Sequence, residues 1–388
     1  MAGLYIHIPF CASRCIYCGF YSTTLSCLTT EYIDAVCKEM QLRKHYINEP
    51  VGSIYLGGGT PSQLSIEQLK KVFDNADRIW GLSHAKEITI ECNPDDITKT
   101  YASYLSTLPI NRISLGVQTF SDKRLGFLCR RHNTQQVYDA VSLLREAGFN
   151  NISIDLMFGF PDETIEEWEE DIRQALLLNV EHISAYSLMY EEGTPLFKML
   201  QQGKVTELDD KISQDMYELL TKRLKEAGYE HYEISNFAKP SFRSQHNSSY
   251  WKSIPYIGIG AAAHSYNHIS RQWNVTDIRK YIHDIQKGEC FWESEQLDLR
   301  TQYNDLITTA LRTSEGISLE SVDSLFGENY KQYLLDCAEK NIARQLLTLK
   351  DGRLRLTPKG IFVSNDVMSD LIALSTPSSS TTAKRQKH

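Results

Sequence analysis

The chain has 388 residues, of which 41% are hydrophobic and 23% charged, as is ordinary for a soluble globular protein large enough for two domains. The formal net charge of -8 argues against a nucleic-acid partner and allows at most a peripheral contact with a membrane surface. We expect a cytoplasmic location, because no apolar run reaches the roughly 20 residues of a membrane span. The first ten residues also lack the basic region of a signal peptide.

Six short runs rich in β-branched residues alternate with amphipathic stretches along the first half of the chain. The amphipathic stretches include Ser65–Trp80, Asn133–Ala147 and Thr164–Leu178. Strands that alternate with helices of this length predict βαβ units and a parallel sheet. The six predicted strands are Leu4–Ile8, Ser53–Leu56, Ile88–Glu91, Arg112–Val117, Ile152–Phe158 and His182–Leu188.

Polar side chains or glycines follow the end of each predicted strand. Barrel enzymes carry their chemistry at the C-terminal ends of the strands, so six such ends indicate one shared site. An open doubly wound sheet would concentrate them at a single switch point. The pattern therefore favours an α/β fold with a partial (β/α)6 parallel barrel.

A different pattern begins near residue 290. Helices are predicted over Arg300–Arg312, Leu319–Phe326 and Tyr330–Asn341. A hairpin turning at Asp351-Gly352 follows, and then a helix over Lys359–Leu374. Three helices and a hairpin resemble a winged helix. Residues 290–375 carry nine Lys/Arg and thirteen Asp/Glu, however, so a packing or lid domain is favoured over DNA binding.

These patterns predict four regions. Residues 1–235 form the partial barrel, 236–290 a connecting segment, and 291–375 a helical, winged-helix-like domain. The Ser/Thr-rich residues 376–388 are expected to be a disordered tail.

Nine cysteines are present, and three of them, Cys11, Cys15 and Cys18, crowd into one short segment. Their spacing would suit one face of a helix, but Pro9 before them and Gly19 after them favour a loop. Soft thiolates select zinc, copper(I) or an iron–sulfur cluster. A structural zinc site normally closes with four ligands, and the nearby His7 is better explained as a packed strand residue. An iron–sulfur cluster with one open iron is therefore favoured, and the other six cysteines are expected to be buried apolar residues.

Several motifs resemble a known family. The Cys-x-x-x-Cys-x-x-Cys loop, with Tyr17 before the last cysteine, resembles the radical S-adenosylmethionine (SAM) signature. Tyr-Ile-His-Ile-Pro-Phe-Cys at 5–11, Gly-Gly-Gly-Thr-Pro-Ser at 57–62, Glu-Cys-Asn-Pro at 91–94 and Gly-Val-Gln-Thr-Phe at 116–120 resemble the oxygen-independent coproporphyrinogen III oxidases and the related HemW heme chaperones. The likeness runs in order from Tyr5 to about Leu374.

The resemblance implies a barrel of radical SAM type, a [4Fe-4S] cluster on Cys11, Cys15 and Cys18, and SAM on the open iron. Glycines allow a ligand to approach the backbone closely, carboxylates suit ribose hydroxyls or an amino group, and arginine suits a carboxylate. The positions that match SAM contacts of the family are Tyr5, Tyr17, Gly58, Gly59, Thr60, Glu91, Gln118, Arg130 and Asp155.

Two features separate the branches of this family. Sequences of the oxidase branch carry the pattern Cys-x-x-x-Cys-x-x-Cys-x-Cys, whereas this chain has Phe20 at the position of the last cysteine. His246, Tyr250 and Trp251 also match a His-Asn-x-x-Tyr-Trp motif of HemW-type proteins. Heme iron accepts a histidine ligand and porphyrin faces pack on aromatic rings, so these three residues are candidates for a heme site. His264 is a second candidate for the heme site or the SAM pocket.

The resemblance thus implies a heme chaperone that carries a [4Fe-4S] cluster, SAM and heme, and that delivers heme to apo-hemoproteins. The main alternative is an oxygen-independent coproporphyrinogen III oxidase, in which a SAM-derived radical starts the oxidative decarboxylation of a porphyrin precursor. A radical SAM protein with another substrate is the third interpretation. The sequence leaves open whether the chain forms a homodimer.

Overall fold

The computed structural model describes residues 1–377, so the predicted tail lies outside the described residues apart from its first two positions. Within residues 1–377, no helix is both long and apolar enough to span a membrane. The strands are β1 (Ala2–Ile8), β2 (Val51–Gly58), β3 (Glu87–Cys92), β4 (Arg112–Gln118), β5 (Ile152–Phe158), β6 (His182–Ser187), β7 (Glu230–Glu233), β8 (Asn236–Ala238), β9 (Tyr256–Ile259), β10 (His264–Tyr266), β11 (Ser270–Asn274), β12 (Trp292–Gln296), β13 (Ile317–Ser318), β14 (Leu347–Lys350) and β15 (Arg353–Leu356).

Helices connect these strands. They are α1 (Thr29–Leu42), α2 (Ile66–Trp80), α3 (Lys99–Leu105), α4 (Asp122–Phe127), α5 (Thr134–Glu146), α6 (Ile165–Leu177), α7 (Pro195–Gln201), α8 (Asp210–Glu226), α9 (Gln245–Trp251), α10 (Ile278–Lys287), α11 (Leu299–Ala310), α12 (Leu319–Phe326), α13 (Glu328–Ala343), α14 (Pro358–Ile361) and α15 (Ser364–Leu371).

The main sheet has twelve strands in the order β12-β11-β10-β9-β1-β2-β3-β4-β5-β6-β8-β7. Strands β1 to β6 pair in parallel, each with the next along the chain, which confirms the predicted βαβ arrangement. Because β7 and β12 each have one sheet neighbour, the sheet stays open, as expected of a partial barrel. Five of the six predicted strands lie within the bounds of an observed strand, and the sixth, His182–Leu188, extends one residue beyond the end of β6.

The residues of the predicted connecting segment, 236–290, contribute to the same sheet. Strand β9 pairs in parallel with β1 on the side opposite β2, and β10 to β12 continue from it as an antiparallel extension. Helix α10 packs its buried residues Ile278, Tyr281 and Ile285 into the main hydrophobic core. Further strands therefore pair with both edges of the six-stranded parallel sheet, next to β1 and next to β6.

The C-terminal part forms a second hydrophobic core from α11 to α15 and the small sheet β13-β15-β14. Asp351 and Gly352 have φ angles of 54° and 69°, which confirms the predicted hairpin turn with two left-handed residues. The predicted single helix over Lys359–Leu374 is wrong, because it is divided into α14 and α15. Between them Phe362 packs edge-on against Tyr217, with ring centroids 5.4 Å apart. This tertiary contact coincides with the break and is absent from the local helical pattern.

A buried carboxylate joins α1 to the antiparallel extension of the sheet. Glu39 is fully buried and accepts hydrogen bonds from Arg43 Nη1 at 2.9 Å, the Gly260 amide at 2.8 Å, Asn274 Nδ2 at 2.7 Å and Tyr281 OH at 2.5 Å. These donors come from the residue after α1, the loop after β9, β11 and α10. One side chain therefore holds four segments of the chain in register.

Replacement of Glu39 by alanine is expected to lower the free energy of unfolding by about 3 kcal/mol or more, because the positive charge of Arg43 would remain buried without its carboxylate partner. Urea unfolding followed by circular dichroism measures this change. The matched control is Gln41→Ala at an exposed position of the same helix, where a change within about 0.5 kcal/mol is expected. Equal effects of the two substitutions would contradict the role given to Glu39.

Candidate cofactor site

A cavity of about 520 Å³ lies at the C-terminal ends of the barrel strands and extends down into the barrel interior. Its lining comes from strands β2 to β6 and from the loops that follow β1 to β4 and β6, as expected of a barrel with one shared site. The sequence-predicted residues that line it are Cys11, Cys15, Tyr17, Cys18, Gly58, Gly59, Thr60, Glu91, Gln118, Arg130 and Asp155.

The cysteine loop leaves β1 and is pinned to its neighbours through the backbone. The Cys11 amide donates to the Thr23 carbonyl at 2.9 Å, and the Thr23 amide donates to the Pro9 carbonyl at 2.7 Å, which closes the loop at its base. The Ile16 amide donates to the Leu128 carbonyl at 3.3 Å. The segment containing the three cysteines is thus a loop and not a helix, as the flanking proline and glycine predict.

Two of the three cysteine sulfurs accept polar contacts from the cavity wall. Thr60 Oγ1 donates to Cys11 Sγ at 3.4 Å, and Arg130 Nη1 donates to Cys15 Sγ at 3.5 Å. Burial raises the pKa values of the Cys11 and Cys18 thiols above the ordinary value. A metal centre would favour their thiolates, because a coordinating thiol is deprotonated.

The glycine-rich turn after β2 packs directly on the start of the cysteine loop. The Gly59 amide donates to the Ile8 carbonyl at 2.9 Å, and a Cβ at Gly59 would lie 2.7 Å from the Pro9 carbonyl carbon. Gly58 has a φ of 112°, where other residues are strained. The glycines are therefore required by this backbone packing, and they also leave the cavity wall without side chains.

Two carboxylates occupy the floor of the cavity. Glu91 accepts hydrogen bonds from Tyr55 OH at 2.7 Å and from the Gly58 amide at 3.1 Å, and Asp155 accepts one from Ser114 Oγ at 3.4 Å. Burial, with a further contribution from Asp155, raises the pKa of Glu91 to about 7. Burial also raises the pKa of Asp155. Both groups are placed to accept hydrogen bonds from a ligand with hydroxyl or amino groups.

The wall beside β4 carries Arg130 and Gln118. Arg130 Nη2 donates to Asn93 Oδ1 at 2.7 Å and to the Gly116 carbonyl at 2.6 Å, while its buried Nε has no hydrogen-bond partner among the described residues. Gln118 has a φ of 69°, and the pairing of β4 with β5 shifts register just before it. A non-glycine residue held in this region is a feature of ligand sites.

Arg112 is a cavity residue that the motifs do not single out. It is the first residue of β4, is 1% exposed and lines the cavity, and its Nε has no hydrogen-bond partner within residues 1–377. Its positive charge lowers the pKa values of both Glu91 and Asp155. The signal in the sequence was an arginine at the start of a strand that is otherwise buried on both faces.

The heme candidates are dispersed. His246 is buried at the N-terminal end of the barrel interior, where its Nδ1 bonds to Ser53 Oγ at 3.0 Å and its Nε2 to Tyr250 OH at 2.8 Å. Burial lowers the pKa of His246 to about 3. Trp251 lines a separate cavity of about 340 Å³, and His264 is exposed on β10 beside Trp273. None of the four predicted heme residues lines the 520 Å³ cavity.

Helix α9 closes the N-terminal end of the barrel interior. The Glu87 carboxylate, at the start of β3, accepts hydrogen bonds from the Gln245 amide at 2.8 Å and the His246 amide at 2.9 Å. A carboxylate at this position satisfies amides that a helix leaves free at its first turn. The next residue, Asn247, contributes to the cavity lining from below.

Tyr5 does not line the cavity; it lies below it, with its OH 3.0 Å from His7 Nδ1 and its ring against Tyr55. His7 Nε2 bonds to the Tyr21 carbonyl at 3.0 Å, so His7 is a hydrogen-bonded strand residue as predicted. The prediction of six buried cysteines is confirmed for Cys37 and Cys92 and wrong for the others, because Cys337 is only half-buried and Cys27, Cys129 and Cys290 are exposed.

The raised pKa of Glu91 predicts that the SAM implied by the resemblance binds with a pH-dependent affinity. A carboxylate accepts hydrogen bonds from the ligand and a protonated carboxyl accepts fewer, so affinity falls as the pH falls through about 7. Loss of about tenfold is expected between about pH 8 and about pH 6. Equilibrium binding of labelled SAM to anaerobically reconstituted protein measures it. Glu91→Gln should bind weakly with a flatter profile, and an identical slope in this variant would contradict the assignment.

Comparisons with known proteins agree with this geometry. The family model of the radical SAM superfamily matches residues 5–175, and that of the HemN C-terminal domain matches residues 297–363. The solved structure of coproporphyrinogen III oxidase (HemN) from Escherichia coli, described as a radical SAM enzyme, aligns with a TM-score of 0.83 at 20% identity. The alignment covers 96% of this chain and 90% of that one. The fold is therefore that of the radical SAM proteins.

Two relatives specify the family. The heme chaperone HemW of Bacillus subtilis is 35% identical over 375 residues, which cover 95% of this chain and 98% of that protein. The heme chaperone HemW of Lactococcus lactis is 33% identical over 369 residues, which cover 95% and 96%. The chain belongs to the HemW family of radical SAM proteins.

The radical SAM fold implies a [4Fe-4S] cluster and SAM, and the residues of the cavity fit both groups. The donor set suits a cluster, because three cysteines of one loop line a single cavity. The glycine turn, two floor carboxylates and the unpaired Nε of Arg130 suit a zwitterionic ligand with a ribose. Cys11, Cys15 and Cys18 would hold the cluster, while Gly58, Gly59, Glu91, Gln118, Arg130 and Asp155 would hold SAM.

Proposed function

We propose that this chain is a cytoplasmic heme chaperone, which binds heme and passes it to apo-hemoproteins while carrying a [4Fe-4S] cluster and SAM. Full-length likeness to HemW proteins is the observation that carries the proposal. The cavity supports its cofactors, because three cysteines and the SAM-type residues line one space. When bound, the two cofactors would supply one-electron redox chemistry.

Within this proposal, each group of cavity residues has a distinct role. Cys11, Cys15 and Cys18 supply thiolates, and Arg130 donates a hydrogen bond to the Cys15 sulfur and so stabilises its negative charge. Glu91 and Asp155 accept hydrogen bonds from the ligand at the floor. Helix α9 excludes water from below by closing the barrel.

Two measurements test heme binding and delivery. Hemin added to the anaerobically reconstituted protein should give a saturable Soret band at one heme per chain. Heme transfer to apomyoglobin should then have a rate that rises with acceptor concentration, because direct transfer needs an encounter between the proteins. No saturable band, or a transfer rate independent of acceptor concentration, would overturn the proposal.

One outcome would favour the oxidase alternative. Phe20 stands at the fourth cysteine position of oxidase-type sequences, and this residue is 70% exposed at the cavity mouth. Because it lacks this cysteine, the reduced protein is expected to form no protoporphyrinogen from coproporphyrinogen III in the presence of SAM. Steady turnover in that assay would overturn the chaperone proposal and show that the protein is the oxidase.

A further inference from the structure

Exposed apolar side chains gather at the mouth of the 520 Å³ cavity. Phe20, on the loop after β1, is 70% exposed, and Met189, after β6, is 60% exposed. Tyr186, near the end of β6, is 39% exposed, and all three side chains line the cavity. Large apolar groups left in water around one opening indicate a surface that a ligand or partner covers.

The side chains around this cavity mouth, here called the rim, offer aromatic, thioether and cationic groups. Phe20 and Tyr186 offer aromatic surface, and Met189 offers a soft thioether sulfur. Arg14, exposed on the cysteine loop, also lines the cavity and forms no ion pair among the described residues. Arg131 lines the same cavity, but Asp95 and Asp96 already pair with it at 2.7 Å. Among the described residues, Glu191 is the acidic side chain that lines the cavity beside this loop. Since Arg131 is already paired, Arg14 is the cation available to a carboxylate.

We propose that heme lies across this mouth, with Met189 as an axial ligand of the iron and the ring of Phe20 against the porphyrin face. The inference rests on the proposed function, which supplies heme as the ligand. A porphyrin is flat and apolar with carboxylates at one edge, which matches two aromatic rings, a thioether and a free arginine. Methionine sulfur is an established type of axial heme ligand.

The burial of His246 favours this location. Both of its ring nitrogens are engaged by hydroxyl groups, from Ser53 and Tyr250, and the ring lies beneath the cavity floor. Iron ligation there would require both the loss of a buried hydrogen bond and the opening of the barrel interior. Met189 needs neither change, because its side chain is already in contact with solvent.

Spectroscopy of matched variants tests the ligand. Met189→Leu keeps an apolar side chain of similar size, and it should weaken heme binding about tenfold or more and remove the thioether-to-iron charge-transfer band of the ferric protein. Met199→Leu, on α7 outside the cavity lining, is the matched control and should retain both properties. Phe20→Ala should weaken binding with the charge-transfer band retained.

Alkylation of natural thiols tests the location independently. Cys129 is exposed and lines the cavity, whereas Cys27 and Cys290 are exposed away from it. Heme bound across the mouth should slow alkylation of Cys129 in the cluster-loaded protein and leave Cys27 and Cys290 unchanged, as measured by peptide mass spectrometry. Cys129→Ser should bind heme like the wild type, which excludes this thiol as the ligand.

The outcomes separate the inference from the function it rests on. If wild-type protein binds no heme at all, the proposed function fails. If it binds heme but Met189→Leu is unchanged and Cys129 stays reactive, the function stands and the inference is overturned. Loss of binding in His246→Gln, with unchanged Met189→Leu, would likewise overturn it and place the heme in the barrel interior.

Discussion

Serine at Cys11, Cys15 or Cys18 is expected to reduce bound iron from about four atoms per chain to below about one, with loss of the brown colour. Oxygen ligands are hard and bind a sulfide cluster poorly, so the hydroxyls nearest the loop, Ser22 and Thr60, offer no substitute. Iron and sulfide assays after anaerobic reconstitution measure the effect.

The chain offers close controls for this experiment. Cys129 and Cys92 also line the cavity, yet neither belongs to the cysteine loop. Cys129→Ser and Cys27→Ser should therefore retain full iron content and colour. Retained iron in any loop variant, or iron loss in Cys129→Ser, would disprove the assigned ligand set and with it the cofactor site.

Replacement of Arg112 by methionine is expected to weaken SAM binding at neutral pH by roughly tenfold to a hundredfold. The guanidinium of Arg112 lowers the pKa values of Glu91 and Asp155, which burial raises. Without it both carboxylates titrate at higher pH, so the midpoint of the SAM-binding profile should move upward from about 7. Binding should recover in part in alkaline buffer.

Other titratable groups also interact with Glu91 and must be considered in this test. They are Asp155 from β5, Tyr55 from β2, Tyr5 from β1, Cys92 beside it on β3 and Tyr250 from α9, and none is altered by the substitution. Arg112→Lys should restore the wild-type midpoint, because it restores the positive charge. Arg131→Met removes a charge at the mouth and should leave the midpoint in place. A methionine variant with weakened binding but an unmoved midpoint would show that Arg112 acts through packing alone.

The barrel strands could be predicted closely because they are buried on both faces. A strand such as β5 is a mainly apolar segment with only Ser153 and Asp155 as polar residues, and the sequence alone therefore marks it as a buried strand. The cysteine loop was equally clear, since Pro9 and Gly19 bracket it. The cavity then followed from topology, because parallel strands bring their C-terminal ends to one side.

Other parts of the site depend on contacts between distant residues. Arg112 faces Glu91 and Asp155 only because β3, β4 and β5 are neighbours. An arginine at the start of a buried strand is visible in the sequence, but the sequence does not show which carboxylates it faces. The motif around His246 indicated a heme site, whereas the folded chain uses this histidine in hydrogen bonds that close the barrel. The heme role of His246 stays a prediction.

The closure of the barrel by α9 has a consequence for assembly. With Asn247 beneath the cavity and Phe20 and Met189 at its opening, entry and exit follow one route. A ligand bound at the opening would block the exit of a ligand bound deeper in the cavity. The deeper ligand must therefore bind first and leave last. Heme seated at the opening would therefore delay SAM exchange, and departure of heme would restore it.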